Sequence, residues 1–276
     1  MTIDFSKIKD SLSKKRIELQ NNDKLLLQFI ADNKYIDDVT AKILLNKKSD
    51  RAFWERIKKL ISYNYIRKTR ITINSADWNA KPELLTAFSL DTQGCKLFGK
   101  EKIKTVGVQG EHLKHNLYVR RVAAIVERFR IDENGNKNEL LNYKTESVLD
   151  DYADERIYID KKNKYKIRPD IFIQNLNLLI EIELNIKPNH THYAKRLFWS
   201  QYLNEYDKTV WLVPSQKDKE RLIKIFTNYA GESFKYDPVL YKKMIFSDAA
   251  DKNLVVVLDD FFSTPETFLK LWTGLN

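Results

Sequence analysis

Apolar and polar positions alternate along the chain with two different periods. In NNDKLLLQFIADNKYI (21–36) the apolar residues Leu25, Leu26, Phe29 and Ile30 follow a candidate cap at Asn22 or Asp23, the spacing of an amphipathic helix. DDVTAKILL (37–45) reads as a second, short helix behind Asp37 or Asp38. SDRAFWERIKKLISYNYI (49–66) reads as a third, capped by Ser49 or Asp50. Phe53, Ile57, Leu60 and Ile61 turn inward on it and Arg51, Glu55, Arg56, Lys58 and Lys59 outward. The period then changes: IRKTRITIN (66–74) alternates as a strand, and LLTAFSLDTQG (84–94) reads as its return partner before a turn and a short helix.

Three helices followed by a basic hairpin predict an N-terminal winged helix-turn-helix over residues 1–106. In such a module the third helix enters the major groove and the hairpin lies against backbone or minor groove. The candidate DNA contacts are then Arg51, Arg56, Lys58 and Lys59 on the helix and Arg67, Lys68 and Arg70 on the wing. A protein-docking module with a solvated basic face is the competing reading.

Gly107 and Gly110 mark a linker, and residues 107–276 read as a second domain. It opens with a helix in GEHLKHNLYVRRVAAIVERF (110–129). Strands follow in ELLNYKTE, KYKIRPDIFIQ and LNLLIEIEL, a helix in HYAKRLFWSQYLNEY, a strand in KTVWLVP, a helix in KDKERLIKIFTNYA and a strand in NLVVVLD. That order predicts an α/β domain with a mixed sheet, and an α+β class for the whole chain.

Charge changes this picture. Residues 1–110 hold 22 Lys and Arg against 13 Asp and Glu, a net of +9, whereas residues 111–276 hold 26 against 25, a net of +1. A basic module joined to a near-neutral one points to a polyanion such as double-stranded DNA. No apolar run reaches the length of a bilayer span, and MTIDFSKIKD lacks the apolar core of a signal peptide. The single cysteine, Cys95, allows no internal disulfide, which suits a cytoplasmic location. No phosphate-cradling glycine loop or spaced Ser-His-Asp set is found, which argues against ATP or acyl chemistry.

The candidate chemistry lies in KIRPDIFIQNLNLLIEIELNIK (166–187). Strand alternation sets Glu181 and Glu183, and Lys187 if the strand continues so far, on one face, with Ile180, Ile182 and Leu184 on the other. Asp170 ends IRPD on the preceding strand, and if the two strands pair as a hairpin the three carboxylates converge at one edge of the sheet. Such a cluster needs a compensating cation, and Mg²⁺ or Mn²⁺ prefer oxygen ligands. A Glu-x-Glu pair facing solvent is the plainer alternative.

Pro169-Asp170 followed by Glu181-Ile182-Glu183 resembles the PD-(D/E)xK nuclease core, with Glu183 where that core usually has lysine. The order of modules from about Asn22 to about Lys224 is similar to the replication-relaxation family of plasmid proteins and the related MobC-class conjugative relaxases. The resemblance implies a winged helix ahead of a restriction-endonuclease-like domain. It implies Asp170, Glu181 and Glu183 as metal ligands and Lys187 as the assisting cation, with Lys195 on the next helix as the alternative. The activity implied is a metal-dependent DNA relaxase or endonuclease that nicks at a plasmid origin, working with relaxosome or replication proteins in conjugation or mobilisation. A non-catalytic DNA-binding accessory factor is the other implied role. Glu111 and His112, on the helix that opens the second domain, are further candidates near the phosphate. HTHY (190–193) shares His and Tyr with a different relaxase chemistry, but Thr191 breaks its His-hydrophobe-His pattern.

Overall fold

The structure is a computed structural model that describes residues 17–47, 49–73, 83–102, 111–131, 136–145, 169–187, 193, 208–229 and 253–274. The chain divides into two units, Met1–Arg128 and Phe129–Asn276. Both mix helix and strand.

The first unit begins with α1 (Asn21–Asn33), β1 (Tyr35–Asp37), α2 (Asp38–Leu45) and α3 (Asp50–Ser62). It continues with β2 (Ile66–Ile73), β3 (Glu83–Leu90), α4 (Thr92–Phe98) and α5 (Glu111–Phe129). Local polar groups set the helix starts. Gln20 caps α1, and its backbone N–H donates to the Asp23 carboxylate at 2.7 Å, so Asp23 stands inside the first turn rather than at the cap. Asp37 caps α2 by accepting from Thr40 N–H at 2.8 Å, and Ser49 caps α3 by accepting from Ala52 N–H at 3.2 Å. Leu26, Leu27, Phe29 and Ile30 of α1 are buried, as are Phe53, Ile57 and Leu60 of α3.

The sheet of this unit has the order β1-β3-β2 and is antiparallel throughout. The sequence pattern ran α1 on through Ile36. The chain instead leaves the helix at Lys34, which has φ +69°, and Tyr35–Asp37 pairs with Ala87–Ser89. Helix α5 packs on this unit: Leu113 and Leu117 join Tyr35, Ile71 and Ala87 in one apolar cluster. Arg121 ties α5 to Asp37, with Nε at 2.7 Å. The division therefore falls at Arg128/Phe129, where composition had suggested residues 106/107.

The second unit carries a five-stranded mixed sheet of order β4-β5-β6-β7-β8. Strands β4 (Tyr143–Thr145), β5 (Ile171–Ile173) and β6 (Leu178–Ile182) are antiparallel neighbours, and β6, β7 (Lys208–Val213) and β8 (Asn253–Val257) run parallel. Helix α6 (Gln216–Tyr229) connects into β8's layer, its Phe226 ring 5.4 Å from that of Trp211 on β7. Two short helices end the described chain, α7 (Leu258–Ser263) and α8 (Pro265–Thr273), held together by Phe261 stacked on Trp272 at 5.3 Å. The helix expected over residues 192–206 falls outside the described residues except for Tyr193, which is helical.

Candidate nucleic-acid interface and carboxylate pair

On α3 the exposed residues Arg51, Glu55, Lys58, Lys59 and Ser62 recur at helical spacing and so share one face, opposite Phe53, Ile57 and Leu60. Arg51 is 87% exposed and makes only a surface i,i+4 pair with Glu55 at 3.0 Å. Next along the chain, Lys68, Arg70 and Thr72 of β2 are exposed on one face of that strand. Lys68 is held in place, its Nζ 5.1 Å from the centroid of the Trp54 ring. Trp54 was not singled out by the sequence, since a helical aromatic reads as core.

Two of the seven expected contacts serve the fold instead. Arg56, expected outside, turns inward: its guanidinium pairs with the fully buried Asp23, with Nε–Oδ1 at 2.8 Å, and donates to the Glu18 carbonyl at 2.9 Å. Helix position alone gave Arg56 to the outer face, but the acid across in α1 captures it. Arg67 is half-buried and donates to Ser89 Oγ at 2.9 Å. The remaining cationic face is Arg51, Lys58, Lys59, Lys68 and Arg70.

In the second unit the strand that follows Asp170 and the strand of Glu181 do pair as a hairpin. Ile171 pairs with Ile180, and continuing that register by one position sets Asp170 opposite Glu181. Asp170 Oδ2 accepts from the Ile182 backbone N–H at 2.6 Å, so this carboxylate completes the ladder where β5 has not yet begun. Asp170 is 5% and Glu181 3% exposed. All five residues of β6 are buried, which sets the plainer alternative of a solvent-facing Glu181 aside.

The parallel register places Glu181 beside Trp211. The Trp211 indole donates to Asn253 Oδ1 at 3.0 Å, and its ring meets Tyr193 edge-on at 6.0 Å. Glu183 lies just past β6, half-buried, its N–H donating to the Leu212 carbonyl at 2.9 Å. Lys187 is exposed, and its backbone N–H donates to Tyr193 Oη at 2.8 Å. Lys195 lies outside the described residues, as do His190 and His192. Glu111 and His112 open α5 in the first unit, with His112 exposed.

Asp170 and Glu181 are thus brought together, with Glu183 two residues on. Among the described residues no group of three or more His, Cys, Asp or Glu is arranged to hold a metal ion. No described helix is long and apolar enough to cross a membrane. Comparison with protein-family models, with curated proteins and with solved structures finds no match.

Proposed function

We propose that this chain is a DNA-binding protein whose first unit acts as a winged helix. The order α1-β1-α2-α3-β2-β3, with β1 added to the β2–β3 hairpin, supports that reading. The observation that carries it is the cationic face: Arg51, Lys58 and Lys59 on α3, with Lys68 and Arg70 on the strand that follows. Double-stranded DNA is the partner such a face fits, because cations that neutralise phosphates release condensed counterions. Arg51 near the helix start is suited to base edges, and Lys68 and Arg70 to backbone. Titrating the full chain with duplex DNA tests this. The variant Arg51→Gln/Lys58→Gln/Lys59→Gln should bind at least tenfold more weakly at moderate salt with an unchanged melting temperature, and undiminished affinity would refute the assignment.

A second reading, a restriction-endonuclease-like second unit that nicks DNA as a relaxase, is favoured by one observation. Two antiparallel pairings lead into a parallel one, and the second of them, β5 with β6, sets Asp170 opposite Glu181. The described residues supply that pair of carboxylates and not the three that the motif assigns to Mg²⁺ or Mn²⁺, and a pair alone does not make the site. A non-catalytic accessory factor of plasmid replication or mobilisation is the alternative role. Incubation with supercoiled plasmid and Mg²⁺ or Mn²⁺ separates the two. Nicking that Asp170→Asn and Glu181→Gln abolish would establish the enzyme in place of the accessory factor.

A further inference from the structure

The second unit is slightly acidic. Residues 129–276 hold 22 Lys and Arg against 23 Asp and Glu, a net of −1. Yet α6 (Gln216–Tyr229) exposes Lys217, Arg221 and Lys224 at i, i+4 and i+7, one row that flanks the stripe of buried Leu222, Ile225 and Phe226. The acids of the same helix are otherwise engaged. Asp218 accepts from Ser215 Oγ at 2.6 Å, and Glu220 accepts from Gln216 Nε2 at 3.2 Å. Among the described residues the side chains of Lys217, Arg221 and Lys224 have no ion pair or hydrogen bond. Asp218 and Glu220 keep their charges, so α6 carries four cations, Lys219 included, against two acids, a net of +2 on a unit whose own net is −1.

We infer that this row is a second nucleic-acid contact, one that grips the phosphate backbone without reading sequence. It is separate from the face proposed on the first unit and does not depend on it. The three cations span roughly 10 Å of helix. Duplex DNA carries one phosphate per about 1.7 Å of its axis, so such a row meets several phosphates at once. The other anionic partners fit less well. A membrane surface helix needs an apolar face free to enter the lipid, and here that face is buried against the sheet. A stable protein interface needs a buried aromatic or apolar anchor, and the row itself contains none.

The test uses the full chain and a mixed-sequence duplex, with binding measured over a range of salt. Lys217→Gln/Arg221→Gln/Lys224→Gln is made both in the wild type and in a chain whose Arg51, Lys58, Lys59, Lys68 and Arg70 are already Gln. In each background the triple change should weaken binding and lower the slope of log affinity against log salt by roughly 2 to 3 units. The melting temperature should not move, since these side chains have no partners among the described residues, and Lys217→Arg/Lys224→Arg should bind as the wild type does. Affinity and slope unchanged by the triple substitution in both backgrounds would overturn the inference. So would row-dependent binding to phosphatidylserine vesicles without any effect on DNA. The five first-unit substitutions made alone judge the other face, so either surface can fail without the other.

Discussion

At the scale of single residues, two neighbouring arginines on α5 do opposite things for the fold. Arg121 bonds to Asp37, whose carboxylate is fully buried and already accepts from Thr40 N–H and, at 2.6 Å, from Thr40 Oγ1. Arg120 is 6% exposed with its guanidinium carbon 3.7 Å from the Tyr35 ring centroid, while Nη1 has no hydrogen-bond partner among the described residues. Burial holds its pKa below the arginine range, and Tyr35 and Asp37 offset this only in part. Removing Arg121 strands a buried carboxylate, so Arg121→Met should cost about 3–5 kcal/mol. Arg120→Met loses a cation–π contact of about 2 kcal/mol and relieves a desolvation cost of several kcal/mol, so it should be neutral or stabilising. Urea unfolding of both variants checks this, and a larger loss for Arg120→Met would contradict it. Nothing in VRRV distinguishes these two residues. Their difference comes from Asp37 and Tyr35, more than eighty residues earlier, just as Asp23 decides the fate of Arg56.

Elements set by local signals were legible in the sequence, and those set by distant partners were not. The start of α2 at Asp37, the start of α3 at Ser49 and the β2–β3 hairpin follow from caps and alternation. Strand β1 is three residues long and all buried, too short to show a period, and exists because β3 offers it an edge. Helices α7 and α8 follow the last strand expected from the sequence, and Pro265 opens α8, where its missing N–H costs no helical hydrogen bond. Alternation put Glu181 and Glu183 on one face but left the pairing with Asp170's strand a condition, and the burial of Asp170 and Glu181 was not legible. For Glu181 the neighbour across the parallel pairing, Trp211, lies thirty residues on.

Helix α4 yields two predictions of its own. A Cβ added at Gly94 would stand 2.2 Å from the Tyr65 carbonyl oxygen, which also accepts from Asp91 N–H at 3.0 Å and so is not free to move. Gly to Ala inside an exposed helix gains about 1 kcal/mol, but here overpacking should reverse the sign. Gly94→Ala should lose about 1–3 kcal/mol in urea unfolding. At the head of the same helix, partial burial pushes the Asp91 carboxyl up, but hydrogen bonds from Lys102 and Thr92 outweigh it and hold the pKa below 3.8. A lowered carboxyl stabilises the fold at pH above the ordinary value, and that stabilisation is lost as pH falls through the depressed one. Stability measured from neutral pH downward should therefore fall less steeply below about pH 4 in Asp91→Asn than in the wild type. Parallel curves would show that Asp91 carries no such linkage.

For the molecule as a whole, the account rests on positive charge that is arranged and not merely abundant. The unit that holds the α3 face carries 26 Lys and Arg against 15 Asp and Glu, and several of those cations, Arg56 and Arg121 among them, are committed to buried partners. Among the described residues, α3 and β2 gather five exposed cations, Arg51, Lys58, Lys59, Lys68 and Arg70, while Lys34, Lys96, Lys100 and Lys114 are exposed elsewhere in the unit. The most direct measurement is lysine footprinting: acetylation of the full chain, with and without saturating duplex DNA, read by mass spectrometry at each lysine. Lys58, Lys59 and Lys68 should become several-fold less reactive when DNA is bound, while Lys102, already tied to Asp91 at 2.6 Å, should change little. DNA bound at saturation with Lys58, Lys59 and Lys68 as reactive as in the free chain would contradict the proposed interface.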